Sequence, residues 1–179
     1  MATRYRADQV GSLLRPAELL NARSAYAEGR LHREELRKVE DRAILDALEL
    51  QRQVGLDVVT DGEHRRGSWL TDMAAAVEGF VPERIMLEWR GPGGGAEATT
   101  ANVVGARLRQ TRRLTADQAA FLKAHAPGPF KMTLPTPSSF YLVSYKPGIT
   151  DRVYPSRAAM VGELAAIIRG EIMALADEG

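Results

Sequence analysis

Two carboxylates and two guanidiniums lie within six residues of this chain, and they are its strongest candidates for chemistry. Asp61, Glu63, Arg65 and Arg66 follow a short β-branched run at 57–60. Such a run is typical of a buried parallel strand, and the glycine inside the cluster lets the backbone turn sharply where the strand ends. Ligands of α/β proteins bind at the carboxyl ends of strands. The pattern therefore predicts a polar cluster that faces a substrate.

The length and composition of the chain fit one globular domain. Its 179 residues are 45% hydrophobic and 26% charged, which is enough for a real core. The formal net charge is +1, so no overall field favours nucleic acid or a membrane surface. No apolar run has the length of a membrane span, and the first residues lack a signal-peptide core. We expect a cytoplasmic protein that binds neither nucleic acid nor membrane.

Few residues of this chain are suited to metal binding. The absence of cysteine excludes disulfides, a cysteine nucleophile and any thiolate zinc site formed by these residues. The three histidines, His32, His64 and His125, include no His-x-x-x-His pair. We therefore expect no complete metal site from this chain alone.

Hydrophobic periodicity and turn residues predict the elements that position the cluster. One helix begins at Pro16 and stops at Gly29, and a stronger one covers about 33–54. Alternation of helices and strands favours a parallel α/β fold with right-handed crossovers. The other predicted elements are strands at 10–14, 57–61 and 130–134, helices at about 68–78, 115–126 and 156–177, and a β-hairpin at 84–108.

Three segments occur in an order and at a spacing that carry a family resemblance. They are 10–16 (Val-Gly-Ser-Leu-Leu-Arg-Pro), 59–69 (with Thr-Asp-Gly-Glu, two arginines and Trp69) and 131–137 (Lys-Met-Thr-Leu-Pro-Thr-Pro). Together they resemble the catalytic barrel of cobalamin-independent methionine synthase, particularly its shorter bacterial single-domain relatives. The resemblance implies the first part of a (β/α)8 TIM-type barrel, about three βα units, as one partial domain over 1–179 with 84–108 as an inserted hairpin.

The resemblance also implies an activity. Members of the family move a methyl group from a folate or another donor to the thiol of homocysteine, without cobalamin. A zinc ion binds that thiol and lowers its pKa, so that a thiolate attacks the methyl carbon. The family takes its zinc ligands and its catalytic histidine from the second half of the barrel. The resemblance thus implies no metal ligand and no catalytic residue here, and a chain that is inactive alone.

The substrate-holding residues are likewise implied by the resemblance. Gly11 and Ser12 match a loop that holds the amino-acid end of homocysteine or methionine, and Glu63 matches the carboxylate that binds the ammonium. The chemistry agrees, because a carboxylate pairs with an ammonium, and a hydroxyl with exposed backbone N–H groups suits a carboxylate. Secondary candidates around the same pocket are Arg15, Asp61, Arg66 and Trp69.

Plainer alternatives stay open for these residues and for the chain. Glu63 could pair only with Arg65 or Arg66, and Ser12 could cap the helix that begins near Pro16. The family reading has a variant, a zinc-dependent alkyl transferase that acts on coenzyme M. The chain could also be a non-catalytic half-barrel. Uncovered strand edges and apolar side chains would then favour self-association or pairing with a C-terminal half.

Overall fold

The computed structural model describes residues 9–67, 70–88, 91 and 93–179. It is a mixed α/β structure that divides into two compact units, the first formed by 1–67 and 116–133 and the second by 68–115 and 134–179. None of the helices in these described ranges is both apolar and long enough to cross a membrane. In chain order the elements are α1 (Ala17–Ala27), α2 (Arg33–Gln53), α3 (Thr71–Ala76), β1 (Val77–Glu88), β2 (Ala96–Gln110), α4 (Ala116–His125), α5 (Pro137–Val143), a 3-10 turn (Thr150–Arg152) and α6 (Arg157–Glu178).

The first unit is built around α2, as its apolar spacing predicts. The carboxylate of Glu35 accepts the backbone N–H of His32 at 3.0 Å and so satisfies a free donor at the start of the helix. Gly55, with φ of 77°, follows the helix end in the left-handed conformation. The inward stripe of α2 contributes to both apolar clusters of this unit. One consists of Leu19, Leu36 and Ala43, and the other of Ile44, Leu48, Val59 and Leu122.

Two of the predicted parallel strands meet, but only over one residue pair. The N–H of Val59 donates to the carbonyl of Pro129 at 3.0 Å, and the N–H of Lys131 donates to the carbonyl of Val59 at 2.9 Å. The prolines at 127, 129 and 135 lack the donors that a longer ladder needs. The strands predicted at 57–61 and 130–134 were therefore too long, although their parallel adjacency is confirmed.

The strand predicted at 10–14 is wrong. The segment at 57–61 would have been its partner, and there a glutamine side chain takes the place of strand pairing. Gln51 donates from Nε2 to the carbonyl of Thr60 at 2.9 Å, and its Oε1 accepts the N–H of Thr60 at 3.0 Å. One glutamine thus satisfies both backbone groups that a paired strand would have used. Residues near Gly11 join this segment through isolated hydrogen bonds and not through a ladder.

The second unit contains the hairpin β1–β2, which extends the predicted 84–108 in both directions. The strands pair antiparallel from Val77 with Gln110 to Glu88 with Ala96. The register shifts at Gly79, whose φ is 105° and where a Cβ would come within 2.8 Å of the carbonyl oxygen of Arg107. The helix predicted for 68–78 ends at Ala76, because the β-branched and aromatic residues that follow favour a strand.

A short helix, α5, begins at Pro137. From the sequence, the prolines at 135 and 137 were interpreted only as the end of a strand. Thr136 precedes α5, and Pro137 occupies its first turn, where a missing N–H costs nothing. Ser156 caps α6 by accepting the N–H of Ala159 at 3.1 Å. The core of this unit is one cluster of buried side chains from the hairpin, α3, α5 and α6, including Val77, Val104, Leu108, Phe140, Tyr154, Met160, Leu164 and Ile168.

Candidate functional site

The turn after Val59 places Glu63 in an unusual backbone conformation. Asp61 accepts the N–H of Glu63 on Oδ1 at 2.9 Å, which closes the turn. Gly62 and Glu63 then both have positive φ, of 65° and 56°. This left-handed region is free of strain for glycine but costs a glutamate about 1–2 kcal/mol. Such strain persists where the surrounding contacts impose it, and it is concentrated at binding and active sites.

The Glu63 carboxylate is held on one of its oxygens. Thr133 donates its hydroxyl to Oε1 at 2.8 Å, and Nη1 of Arg66 lies 3.5 Å from the same atom. Arg66 also donates from Nη1 to the Thr133 hydroxyl at 2.7 Å and from Nη2 to the Thr133 carbonyl at 2.8 Å. The side chain of Glu63 is 13% exposed and that of Arg66 is 3% exposed. The carboxylate is thus largely shielded, with fixed donors on one side.

The backbone at Gly11 lies directly against the side chains of Glu63 and Thr133. A Cβ built on Gly11 would overlap Cγ2 of Thr133 and lie 3.2 Å from Oε1 of Glu63. The Thr60 hydroxyl donates to the Gly11 carbonyl at 2.8 Å and fixes the approach. Ser12, the next residue, is exposed. The structure therefore brings the Gly11 backbone to Glu63 and leaves Ser12 exposed.

Two arginines, Arg15 just before α1 and Arg23 on α1, hold the turn through its carbonyls. Nη2 of Arg15 donates to the carbonyls of Glu63 at 3.1 Å and of Arg66 at 3.2 Å. Arg23 donates to the carbonyls of Arg66 and His64, each at 2.6 Å. Burial, together with the nearby charge of Arg15, lowers the pKa of Arg23. In this structure Arg15 binds backbone, and Arg23, which the sequence interpretation missed, does the same.

The alternative in which Arg65 neutralises Glu63 does not match the geometry. Arg65 donates from Nη2 to Asp41 at 2.5 Å, and its guanidinium lies 4.4 Å from the ring centroid of Phe121. Of the two arginines, only Arg66 lies near the Glu63 carboxylate. Its guanidinium is shared with Thr133, so the carboxylate is oriented by a network and not by a simple surface ion pair.

Asp61 and His64 are buried within the same turn. Oδ2 of Asp61 and Nδ1 of His64 have no hydrogen-bond partner among the described residues. Burial lowers the pKa of His64, and the charge of Arg15 acts in the same direction. Both effects favour the neutral form of the ring. In the described ranges, no three side chains of His, Asp or Glu come together as a metal-binding group.

Two residues of the candidate site are left, Trp69 and Thr133. Trp69, a secondary candidate, lies outside the described residues. Thr133 was not singled out, although it belongs to the segment 131–137 that carries the resemblance. Its position at a strand end next to the Glu63 turn was the available signal, because parallel strand ends meet at one edge.

The comparisons with known proteins agree on one family. The family model described as the catalytic domain of cobalamin-independent synthase matches residues 6–179. Superposition on a B12-independent methionine synthase from Shewanella sp. W3-18-1, in complex with selenomethionine, gives a TM-score of 0.73 at 25% identity and covers 94% of this chain and 47% of that one. The putative vitamin-B12 independent methionine synthase from Listeria monocytogenes gives 0.68 at 26% identity and covers 100% and 50%. The resemblance drawn from the three segments is confirmed.

Curated relatives extend the same result. The chain is 45% identical over 78 residues to the uncharacterized protein YxjH of Bacillus subtilis, which is 44% of this chain and 21% of the relative. It is 25% identical over 171 residues to methionine synthase of Sulfurisphaera tokodaii, which is 95% of this chain and 48% of the relative. The chain thus spans between a fifth and a half of the length of the curated relatives it matches.

Proposed function

The chain belongs to the family of cobalamin-independent synthase catalytic domains, and from that premise we propose that it is the amino-acid-binding part of a methyltransferase that methylates the thiol of homocysteine. In this proposal Glu63 binds the substrate ammonium, and Gly11 and Ser12 lie at the amino-acid end. The methyl donor is a folate or another methyl compound. The chain supplies about three βα units of the first part of a TIM-type barrel, with β1–β2 as an inserted hairpin.

The geometry of Glu63 is the observation that carries this proposal. Its carboxylate is largely shielded from solvent, is oriented on Oε1 by Thr133 and Arg66, and borders the Gly11 backbone. A shielded carboxylate with a free acceptor direction binds an ammonium more strongly than a solvated one, because neither water nor salt screens the pair as effectively. The positive φ of Glu63 supports a binding role, since nothing about the turn alone requires a glutamate there.

Zinc does not fit the residues that this chain provides. The family's thiol chemistry uses a metal-bound thiolate, but the chain has no cysteine and its described residues form no group of three ligands. His64, the buried histidine next to Glu63, has one acidic neighbour, Asp61, and two basic ones, Arg15 and Arg23, which disfavour a bound metal ion. No step of the reaction is assigned to a metal held here, and the role of this chain is confined to binding and orienting the amino acid.

Calorimetric titration of the 179-residue chain with L-methionine and L-homocysteine tests the proposal. We expect Glu63→Gln to weaken methionine binding about tenfold or more, because it removes a hydrogen bond between charged groups. Glu49→Gln, on the exposed face of α2, is the matched control and should bind as the parent chain does. Equal affinity of the parent chain and Glu63→Gln would remove Glu63 from the site. Binding of 2-mercaptoethanesulfonate in place of methionine would favour the coenzyme M variant, because that thiol has no ammonium.

We also propose that the chain associates with a second copy or with a C-terminal companion. Apolar side chains of the first unit stand in solvent, with Leu14 at 96% and Val10 at 91% exposure. Burial of such apolar side chains against a partner would be favourable. Light scattering at micromolar concentration should give a mass above that of a monomer, 19.6 kDa. A monodisperse monomer would contradict the self-association.

A further inference from the structure

We propose that Thr133 is the positioning residue of the amino-acid site, because its hydroxyl aims the Glu63 carboxylate at the substrate ammonium. The inference rests on the proposed function of Glu63 and adds the residue that sets its orientation. Thr133 does not touch the substrate in this proposal. It acts through one hydrogen bond, from its Oγ1 to Oε1 of Glu63 at 2.8 Å.

The direction of that hydrogen bond follows from the chemistry of Arg66. A guanidinium can only donate, so Nη1 of Arg66, 2.7 Å from the Thr133 hydroxyl, must use an oxygen lone pair. The single proton of the hydroxyl is then left for Glu63. The two hydrogen bonds therefore point the same way, from Arg66 to Thr133 and from Thr133 to Glu63, and the last acceptor is an ionised carboxylate.

Thr133 is itself fixed from two sides. Nη2 of Arg66 donates to the Thr133 carbonyl at 2.8 Å, so one guanidinium grips both the backbone and the hydroxyl of this residue. The methyl group of Thr133 lies against the Gly11 backbone, where no side chain fits. The hydroxyl therefore cannot rotate freely, and the carboxylate oxygen that it binds is withdrawn from the substrate. The second oxygen, Oε2, is the one left for an ammonium.

The two branches of the Thr133 side chain separate an orienting role from a packing role. Thr133→Val keeps the methyl that packs on Gly11 and removes the hydroxyl, whereas Thr133→Ser keeps the hydroxyl and removes the methyl. If the hydroxyl matters, only the valine variant should lose recognition of the ammonium. If packing matters, only the serine variant should lose it. The two substitutions thus make opposite predictions from the same residue.

The readout is the preference for L-methionine over 4-(methylthio)butanoate, which has the same carbon chain and carboxylate but no ammonium. Calorimetric titrations give both affinities for the parent chain, Thr133→Val, Thr133→Ser and Glu63→Gln. We expect Thr133→Val to reduce the preference about tenfold, the size expected for one hydrogen bond to a charged group, and Thr133→Ser to keep it. A general loss of stability would weaken both ligands alike and leave the ratio unchanged.

The outcomes distinguish this inference from the proposed function. A parent chain with no preference for methionine overturns both. A preference that is lost in Glu63→Gln but kept in Thr133→Val leaves the function standing and overturns the positioning role. If Thr133→Val does not fold, Thr133→Ser decides the question by itself, because a kept preference supports the hydroxyl and a lost one overturns it.

Discussion

Two glutamates, one in each unit, differ in how the surrounding residues use the oxygens of a shielded carboxylate. Glu171, on α6, is fully buried and accepts hydrogen bonds on both oxygens: from Nε and Nη2 of Arg113 at 2.8 and 3.0 Å, from the N–H groups of Leu114 and Thr115 at 3.0 and 3.1 Å, and from the Thr115 hydroxyl at 2.7 Å. The contacts described for Glu63 fall on Oε1 alone.

The difference teaches that shielding alone does not mark a ligand site. Both carboxylates are withdrawn from solvent and both have an arginine nearby. Glu171 receives enough donors from its own chain to offset its desolvation, so it has no capacity left for a ligand. Glu63 sits on a strained turn with one oxygen bound and the other available. We expect substitutions at Glu171 to affect stability, and substitutions at Glu63 to affect binding.

The largest expected effect is that of Glu171→Ala. It removes the acceptor of two backbone N–H groups and one hydroxyl and leaves Arg113 paired with Glu178 alone. The loss of these buried contacts costs about 3–5 kcal/mol. The free energy of unfolding from urea titration measures it. Glu178→Ala is the matched control, because Glu178 pairs with the same guanidinium from a more exposed position. That control should change stability by less than about 1 kcal/mol. Similar losses in both variants would contradict the contrast.

Acid should reveal the same network. Burial by itself would raise the pKa of Glu171, but the hydrogen bonds from Arg113, Thr115 and the Leu114 backbone outweigh it and lower the pKa to about 2. Because the folded pKa lies below the ordinary value of 4.5, the carboxylate contributes stability above pH 4.5, and that contribution is lost as pH falls towards 2. Urea titrations across this window should show the loss in the parent chain, and a smaller loss in Glu171→Gln. Parallel curves would argue against the network.

A third buried carboxylate, Glu40 on α2, should behave in the opposite way. Its Oε2 has no hydrogen-bond partner in the described part of the chain and lies 3.5 Å from Nη1 of Arg33. Burial raises the pKa of Glu40, although Arg33 and Arg23 oppose the change. A raised folded pKa means that stability is lost as pH rises through it. Glu40→Gln should therefore raise the free energy of unfolding at pH 7 by about 1 kcal/mol, with little difference near pH 4. A loss of stability at pH 7 would show that the ion pairs outweigh burial.

The smallest expected effect concerns the strain at Glu63. Glu63→Gly and Glu63→Ala both remove the carboxylate, but only glycine relieves the left-handed backbone, so the glycine variant should be the more stable by about 1 kcal/mol. Glu49 on α2 provides the inverse control. At that position the alanine variant should be more stable than the glycine variant by about the same amount, because glycine is unfavourable inside a helix. Thermal unfolding of the four variants measures both differences, and the same order at both positions would exclude strain at Glu63.

The sequence predicted elements that depend on local patterns and missed those that depend on distant side chains. The helix near 33–54 was recovered because its apolar residues repeat at the helical period and Gly55 follows. The strand at 10–14 was wrong because nothing local shows that Gln51 serves the backbone of Thr60. The capping pattern at Thr115 located the start of α4, but its hydroxyl donates to Glu171, which lies 56 residues away.

The candidate site divides along the same line. Glu63 and Gly11 were identified from residue type, strand position and family resemblance, and the structure brings them together. Thr133 and Arg23 were missed, since a threonine or an arginine is unremarkable until its partner is known. Arg15 was predicted near the pocket but not as a donor to carbonyls. The sequence therefore located residues by type and strand position, and it did not locate the contacts that depend on a distant partner.

The hydrogen bond between Thr133 and Glu63 joins residues 70 positions apart. During synthesis β1, β2 and α4 are made after the Thr-Asp-Gly-Glu turn and before Thr133. Closing so long a loop costs entropy, which must be lost before the contact forms. The hydroxyl that orients the Glu63 carboxylate is therefore absent from the nascent chain until residue 133 has been made, and so is any function that depends on that orientation.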